Sequence, residues 1–151
     1  MLDNFFLDNN AKTTSYFMNA ALGGISNDDI SNLIKLGNKY KETVRICLHG
    51  SADDLLQMML IFHPVPKTIN PKKYISQDSI YMILDGIISM KFFDDELKVS
   101  STIQMSQSNN SIFRIPKNQI YKIEILSEHL LFLEIRNGPF KKEEQIIFSE
   151  V

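Results

Sequence analysis

Between Thr43 and Arg136 the chain offers about eight short apolar runs, each closed by Gly, Pro, Asn, Asp or Ser, with no helical period among them. They are Thr43–His49, Leu56–His63, Ser79–Leu84, Ile87–Phe93, Val99–Met105, Ser111–Ile115, Ile120–Leu126 and Leu130–Arg136, rich in Ile, Val, Phe and Tyr. Strands in succession without crossover helices predict an all-β sandwich or barrel and weigh against a parallel α/β fold. Ile120–Leu126 alternates, with Tyr121, Ile123 and Ile125 on one face and Lys122 and Glu124 on the other. Ser79–Leu84 is apolar on both faces, through Ile80, Met82 and Leu84 and through Tyr81 and Ile83. Its outer face needs cover from the N-terminal segment, a helix or a second subunit. Asp85-Gly86 between two apolar runs predicts a hairpin, Asp94-Asp95 a turn, and Ser106–Ser111 a polar loop.

The flanks read differently. Ser26 is a good N-cap, followed by Asp28 and Asp29 and by the stripe Ile30, Leu33, Ile34, so a helix is predicted to run to a stop at Gly37-Asn38. Residues 1–25 hold two apolar patches, Phe5–Leu7 and Tyr16–Met18, that cannot bury themselves. This extension is expected to lie as strands on the barrel or across a partner subunit, and residues 26–151 to form the barrel. The tail from Lys141 is charged and then apolar, and is expected to pack back loosely.

Totals exclude several classes. The 151 residues suit one domain with one core. Sixteen basic and eighteen acidic residues, evenly spread, give a formal charge of -2, which excludes nucleic acid as the main partner because phosphate binding needs a basic face. No apolar run reaches the roughly 18 residues of a membrane span, and the N-terminus lacks a secretory pattern, so the default location is the cytoplasm. The lone Cys47 sits in an apolar run two residues before His49, and reads as a small buried hydrophobe rather than a nucleophile.

Two stretches carry a resemblance. Lys72-x-Tyr74 is followed by four residues, Ser79, six residues and Gly86; Pro116-x-Asn118-x-x-Tyr121 lies further on. In spacing these resemble the two motifs of the cupin superfamily, H-x-H…E…G and P-x-G-x-x-H, with each metal ligand replaced. Asn118 stands where the motif glycine supplies a left-handed turn, and Asn is the residue next best able to take it. Arg45–His49 before Ser51-x-Asp53-Asp54, Phe93–Asp95, Phe113–Pro116 and Glu134 leading to Asn137–Phe140 narrow the likeness. Over about residues 26–148 the chain resembles the small WbuC-type cupins found with bacterial surface-polysaccharide genes. It departs from them at Gln57-Met58, where that family carries His-Glu.

The resemblance implies a double-stranded β-helix, a jelly-roll barrel, with one N-terminal helix. A cupin holds its metal with imidazoles and a carboxylate, whereas an ammonium repels a cation and neutral hydroxyls ligate divalent ions poorly. The resemblance therefore implies no metal and no cofactor. Motif positions face the barrel interior, which places Lys72, Tyr74, Ser79, Tyr81 and Tyr121 inward and Arg114 at the mouth. Two readings of that cluster stay open: a pocket for an anionic or sugar-like small molecule, or a barrel that has filled its cavity with aromatic side chains. Two functional classes follow. One is a non-catalytic binding or interaction protein, a homodimer, linked to surface-polysaccharide biosynthesis. The other is a metal-independent nucleotide-sugar isomerase or epimerase, with Tyr121 or Tyr74 as acid and His49 or His63 as base.

Overall fold

A computed structural model describes residues 2–149; the barrel boundary at 151 lies outside the described residues. The strands are β1 (Phe5–Leu7), β2 (Thr14–Met18), β3 (Val44–Cys47), β4 (Leu56–His63), β5 (Thr68–Tyr74) and β6 (Ser79–Asp85). They continue as β7 (Ile87–Phe93), β8 (Val99–Ser106), β9 (Ile112–Ile115), β10 (Ile120–Ile125), β11 (Leu130–Asn137) and β12 (Gln145–Ile147). One sheet has the order β1-β2-β3-β4-β11-β6-β9 and the other β12-β5-β10-β7-β8. The pairings are antiparallel except β2 with β3. The eight predicted runs are all strands, most within a residue of the predicted ends.

Helix α1 (Asn27–Tyr40) starts as its sequence dictates: Ser26 Oγ accepts from the Asp29 N–H, and the Asp29 carboxylate accepts from the Ser26 N–H. It does not stop at Gly37. The chain continues to a left-handed Lys41, and Gly37 is a packing device instead. A Cβ there would stand 2.6 Å from the Phe62 ring, so the glycine lets the helix lie directly on β4. Under α1, Leu33, Val44, Ile46, Leu60, Phe62 and Leu131 form an outer core, joined by Phe5 from the N-terminal extension. Leu84 packs against this cluster, whereas Ile80 on the same outer face of β6 stays 37% exposed.

Asp85-Gly86 does not make a hairpin. β6 pairs with β11 and β9, while β7 pairs with β10 and β8, so Gly86 is a corner where the chain changes sheets. Its φ of +105° and the approach of the His129 carbonyl leave no room for a side chain. The true hairpin of this region joins β7 and β8 across Asp94. Asn118 takes the left-handed conformation at φ +65°, as its motif position predicts.

Two strands escape the apolar-run criterion. β5 contains Asn70, Pro71, Lys72 and Lys73, and reads as a polar segment. The tail does not pack loosely; β12 pairs with β5, Gln145 opposite Tyr74 and Ile147 opposite Lys72. Between the sheets the interior divides in two. On the side of β6 and β9 facing β7 and β8, Ile83, Ile88, Met90, Phe92, Met105 and Ile115 fill it closely. On the side of β3 and β4 facing β5 and β12 it is hollow.

Candidate ligand-binding site

The hollow is a cavity of about 650 Å³. Period-two alternation supplies its walls: Arg45 and Cys47 from β3, Gln57, Met59, Ile61 and His63 from β4, and Phe132, Glu134 and Arg136 from β11. From the opposite sheet come Ile69, Lys72, Tyr74 and Ile123. Ile69 and Lys72 both face inward although three apart, because β5 bulges between them: Lys72 opposes Tyr121 and Ile69 opposes Ile123. The β1–β2 loop with Asp8 and Lys12, together with Lys67, Lys142 and Ile147, borders the remainder.

Charge dominates the inner wall. Arg136 is 8% exposed and its guanidinium lies between the rings of Tyr74 and Phe140, at 5.0 and 5.3 Å. Its Nε is 3.9 Å from Glu134 Oε1, beyond hydrogen-bond reach, and Nε and Nη1 are enclosed with no hydrogen-bond partner among the described residues. Lys72 Nζ stands over the rings of Tyr74 and Tyr121, at 5.4 and 5.6 Å, and donates a long hydrogen bond to Tyr74 Oη at 3.4 Å. Burial opposes the charge on Lys72, but Tyr121, Tyr74 and Glu134 outweigh it and hold its pKa above the ordinary value. Burial likewise opposes charge on Glu134; Arg136, Lys72 and the Tyr81 hydroxyl overcome it and keep the carboxyl below its usual range. Arg45 Nε donates to Ser15 Oγ at 2.6 Å. The inner wall thus sets three cations, Arg45, Lys72 and Arg136, against one acid.

The structure brings Lys72, Tyr74 and Tyr81 to the cavity as the motif positions predict. Tyr121 is buried just behind them, its hydroxyl 3.0 Å from that of Tyr81 and its pKa raised by burial. Ser79 Oγ is enclosed and unpaired without lining the cavity. Arg114 is not at the mouth: alternation in β9 turns it outward, where it donates to Asp78 at 3.1 Å with its side chain 64% exposed. His49 and His63 both line the cavity. His49 Nδ1 lies 3.2 Å from both the N–H and the carbonyl of Met58, and burial lowers its pKa. Burial pushes the Cys47 thiol up to about 11, which disfavours the thiolate that a nucleophile needs.

Arg136, Glu134 and Arg45 are the site residues that sequence reasoning missed. The signal was the pair Glu134 and Arg136, two apart on one face of a strand whose other face is Leu131, Leu133 and Ile135. As for a metal, the positions answering to cupin ligands carry an ammonium and three neutral hydroxyls. No three His, Cys, Asp or Glu side chains converge among the described residues. This donor set does not fit a divalent cation.

No protein-family model and no curated protein matches the chain. Solved structures do. The capsular polysaccharide assembling protein CapF from Staphylococcus aureus superimposes with a TM-score of 0.59 at 14% identity, over 74% of this chain and 32% of that one. CapF with the inhibitor 3-isopropenyl-tropolone gives 0.57 at 15% identity, again over 74% and 32%. Oxalate decarboxylase from Bacillus subtilis gives 0.53 at 11% identity, over 64% of this chain and 24% of that one. The chain therefore spans about a third of the length of CapF and a quarter of that of oxalate decarboxylase, and what it shares with these cupin-fold proteins is the fold. The chain is an all-β jelly roll of the cupin type with one α-helix among its described residues.

Proposed function

We propose that this chain is a metal-free cupin-fold binding protein, of the WbuC type, that takes an anionic, sugar-like small molecule into its barrel without catalysis. The observation that carries this reading is the inner wall: Arg136 is buried with two of its nitrogens, Nε and Nη1, unpaired among the described residues, beside Lys72 and Arg45, and Glu134 is the acid set against them. Desolvated charge of one sign is costly, and an anion entering the cavity would offset that cost. Tyr74, Phe132 and Phe140 add apolar surface to the cavity wall. A link to surface-polysaccharide assembly is supported by the motif resemblance and by the fold shared with CapF.

The isomerase reading needs a tyrosine acid facing a histidine base across the cavity. Tyr121 is engaged with Tyr81 and screened from the cavity, and Tyr74, which does line it, has its hydroxyl accepting from Gln145 Nε2 at 2.9 Å and from Lys72. Thermal melting with glucuronate, glucose 6-phosphate and glucose, beside elemental analysis, tests the proposal. A ligand held at a hundred times its Kd stabilises the fold by about 2.7 kcal/mol. The two anions should raise the Tm of the wild-type chain, glucose should not, and Arg136→Met should weaken the anion effect at least tenfold. Stoichiometric transition metal would refute the metal-free reading. Turnover of a nucleotide-sugar, abolished by Tyr121→Phe, would refute the non-catalytic one.

A further inference from the structure

At one edge of the cavity three polar groups form a chain that the binding proposal does not use. Lys67 Nζ donates to Thr43 Oγ1 at 2.9 Å, and Thr43 Oγ1 lies 2.7 Å from His63 Nδ1. An ammonium has only donors, so Thr43 must accept from Lys67. The Thr43 oxygen has a second lone pair, but its own proton has no acceptor among the described residues other than His63 Nδ1. With Nδ1 accepting, the imidazole proton sits on Nε2, which makes no hydrogen bond to the described residues although His63 is only 5% exposed and lines the cavity. Stacking on Phe132, with ring centroids 5.7 Å apart and 18° between planes, fixes the ring's attitude.

Resting on the anion-binding reading above, we propose that the Lys67–Thr43 chain locks His63 as a neutral Nε2–H donor to the ligand, so that this position takes an acceptor oxygen and, beside Lys67 and Lys72, favours that of an oxyanion. Burial first, and then the cationic Lys67 and Lys72, keep the His63 ring neutral well below neutral pH. His63 is thereby a specificity-determining donor and not a base, since its one free nitrogen already carries the proton. Beside Lys72 and Lys67 it makes a wall of donors that suits a carboxylate or a phosphate and disfavours a protonated amine.

The test is nitrogen NMR of histidine-labelled full chain at pH 7, free and titrated with glucuronate, glucose 6-phosphate and glucosamine. The expected result is the Nε2–H tautomer in the free wild type, with that resonance moved by at least one of the two anions and not by glucosamine. Which anion moves it tells carboxylate from phosphate. Thr43→Val should give mixed tautomers and at least fivefold weaker anion binding, and Thr43→Ser should restore both. An Nδ1–H tautomer or an imidazolium in the wild type would overturn the donor assignment even if anions bind. An Nε2–H resonance moved by neither anion, with no anion binding by calorimetry, would overturn the binding reading and the ligand contact with it. Anion binding that Thr43→Val leaves unchanged would overturn the role of the lock alone.

Discussion

His63 is buried with its pKa pushed down to about 3, by burial first and by Lys67 and Lys72 after it. The unfolded chain takes up this proton near the ordinary value of 6.5, whereas the folded chain refuses it until about 3. Stability from this group is therefore intact above pH 6.5 and declines as the pH falls through that window, by about 1.4 kcal/mol per pH unit. Urea midpoints of wild type and His63→Gln between pH 7 and 4 check this: the wild type should lose more on acidification, and parallel curves would contradict it. The inward side of this site was partly legible. Motif spacing was enough for Lys72 and Tyr74, although β5 itself does not show as an apolar run, and alternation from Ser79 was enough for Tyr81. Arg136 and Glu134 were not legible, because β11 turns its apolar face, Leu131 and Leu133, outward under α1 and its charged face inward. β3 does the same with Val44 and Ile46 against Arg45. A rule that sends the apolar face to the interior reads such strands backwards.

At the scale of elements, glycine carried a similar ambiguity. Gly37-Asn38 has the composition of a helix stop, yet the absent side chain serves the contact with Phe62 and Val44. Gly37→Ala should gain about 1 kcal/mol of helix propensity and lose more to overpacking against a ring that is 1% exposed. A net loss of about 1–2 kcal/mol, a fall of a few degrees in Tm, is expected by calorimetry. A rise in Tm would show that α1 can lift from β4 without cost. Gly86 misled for the opposite reason. Asp-Gly signals a tight reversal, and the chain does turn there, but the partners of the two strands lie in different sheets, which only long-range pairing decides. β5 was missed for want of apolar side chains and β12 because its apolar run, Ile146-Ile147, is only two residues long after a charged stretch; the backbone ladder with β10 and with each other holds them.

Across the whole molecule, a chain of net charge -2 concentrates six lysines and arginines around one cavity, against two acids. A low-dielectric cleft lined by one sign of charge focuses the field and draws counter-charge inward. The fold explains how this is possible: helix α1 covers one face of the seven-stranded sheet, to which the extension adds β1 and β2, and this frees half of the interior from serving as the core. Phe140 and, from the tail strand, Gln145 and Ile147 then border that half. The central claim, that an anion occupies this half, meets its most direct test in a crystal soaked with glucuronate or glucose 6-phosphate. Density is expected in the cavity, with an anionic oxygen seated among Arg45, Lys72 and Arg136, and none in an Arg136→Met crystal treated alike. An empty cavity at saturating ligand, or an anion bound elsewhere on the surface, would contradict it.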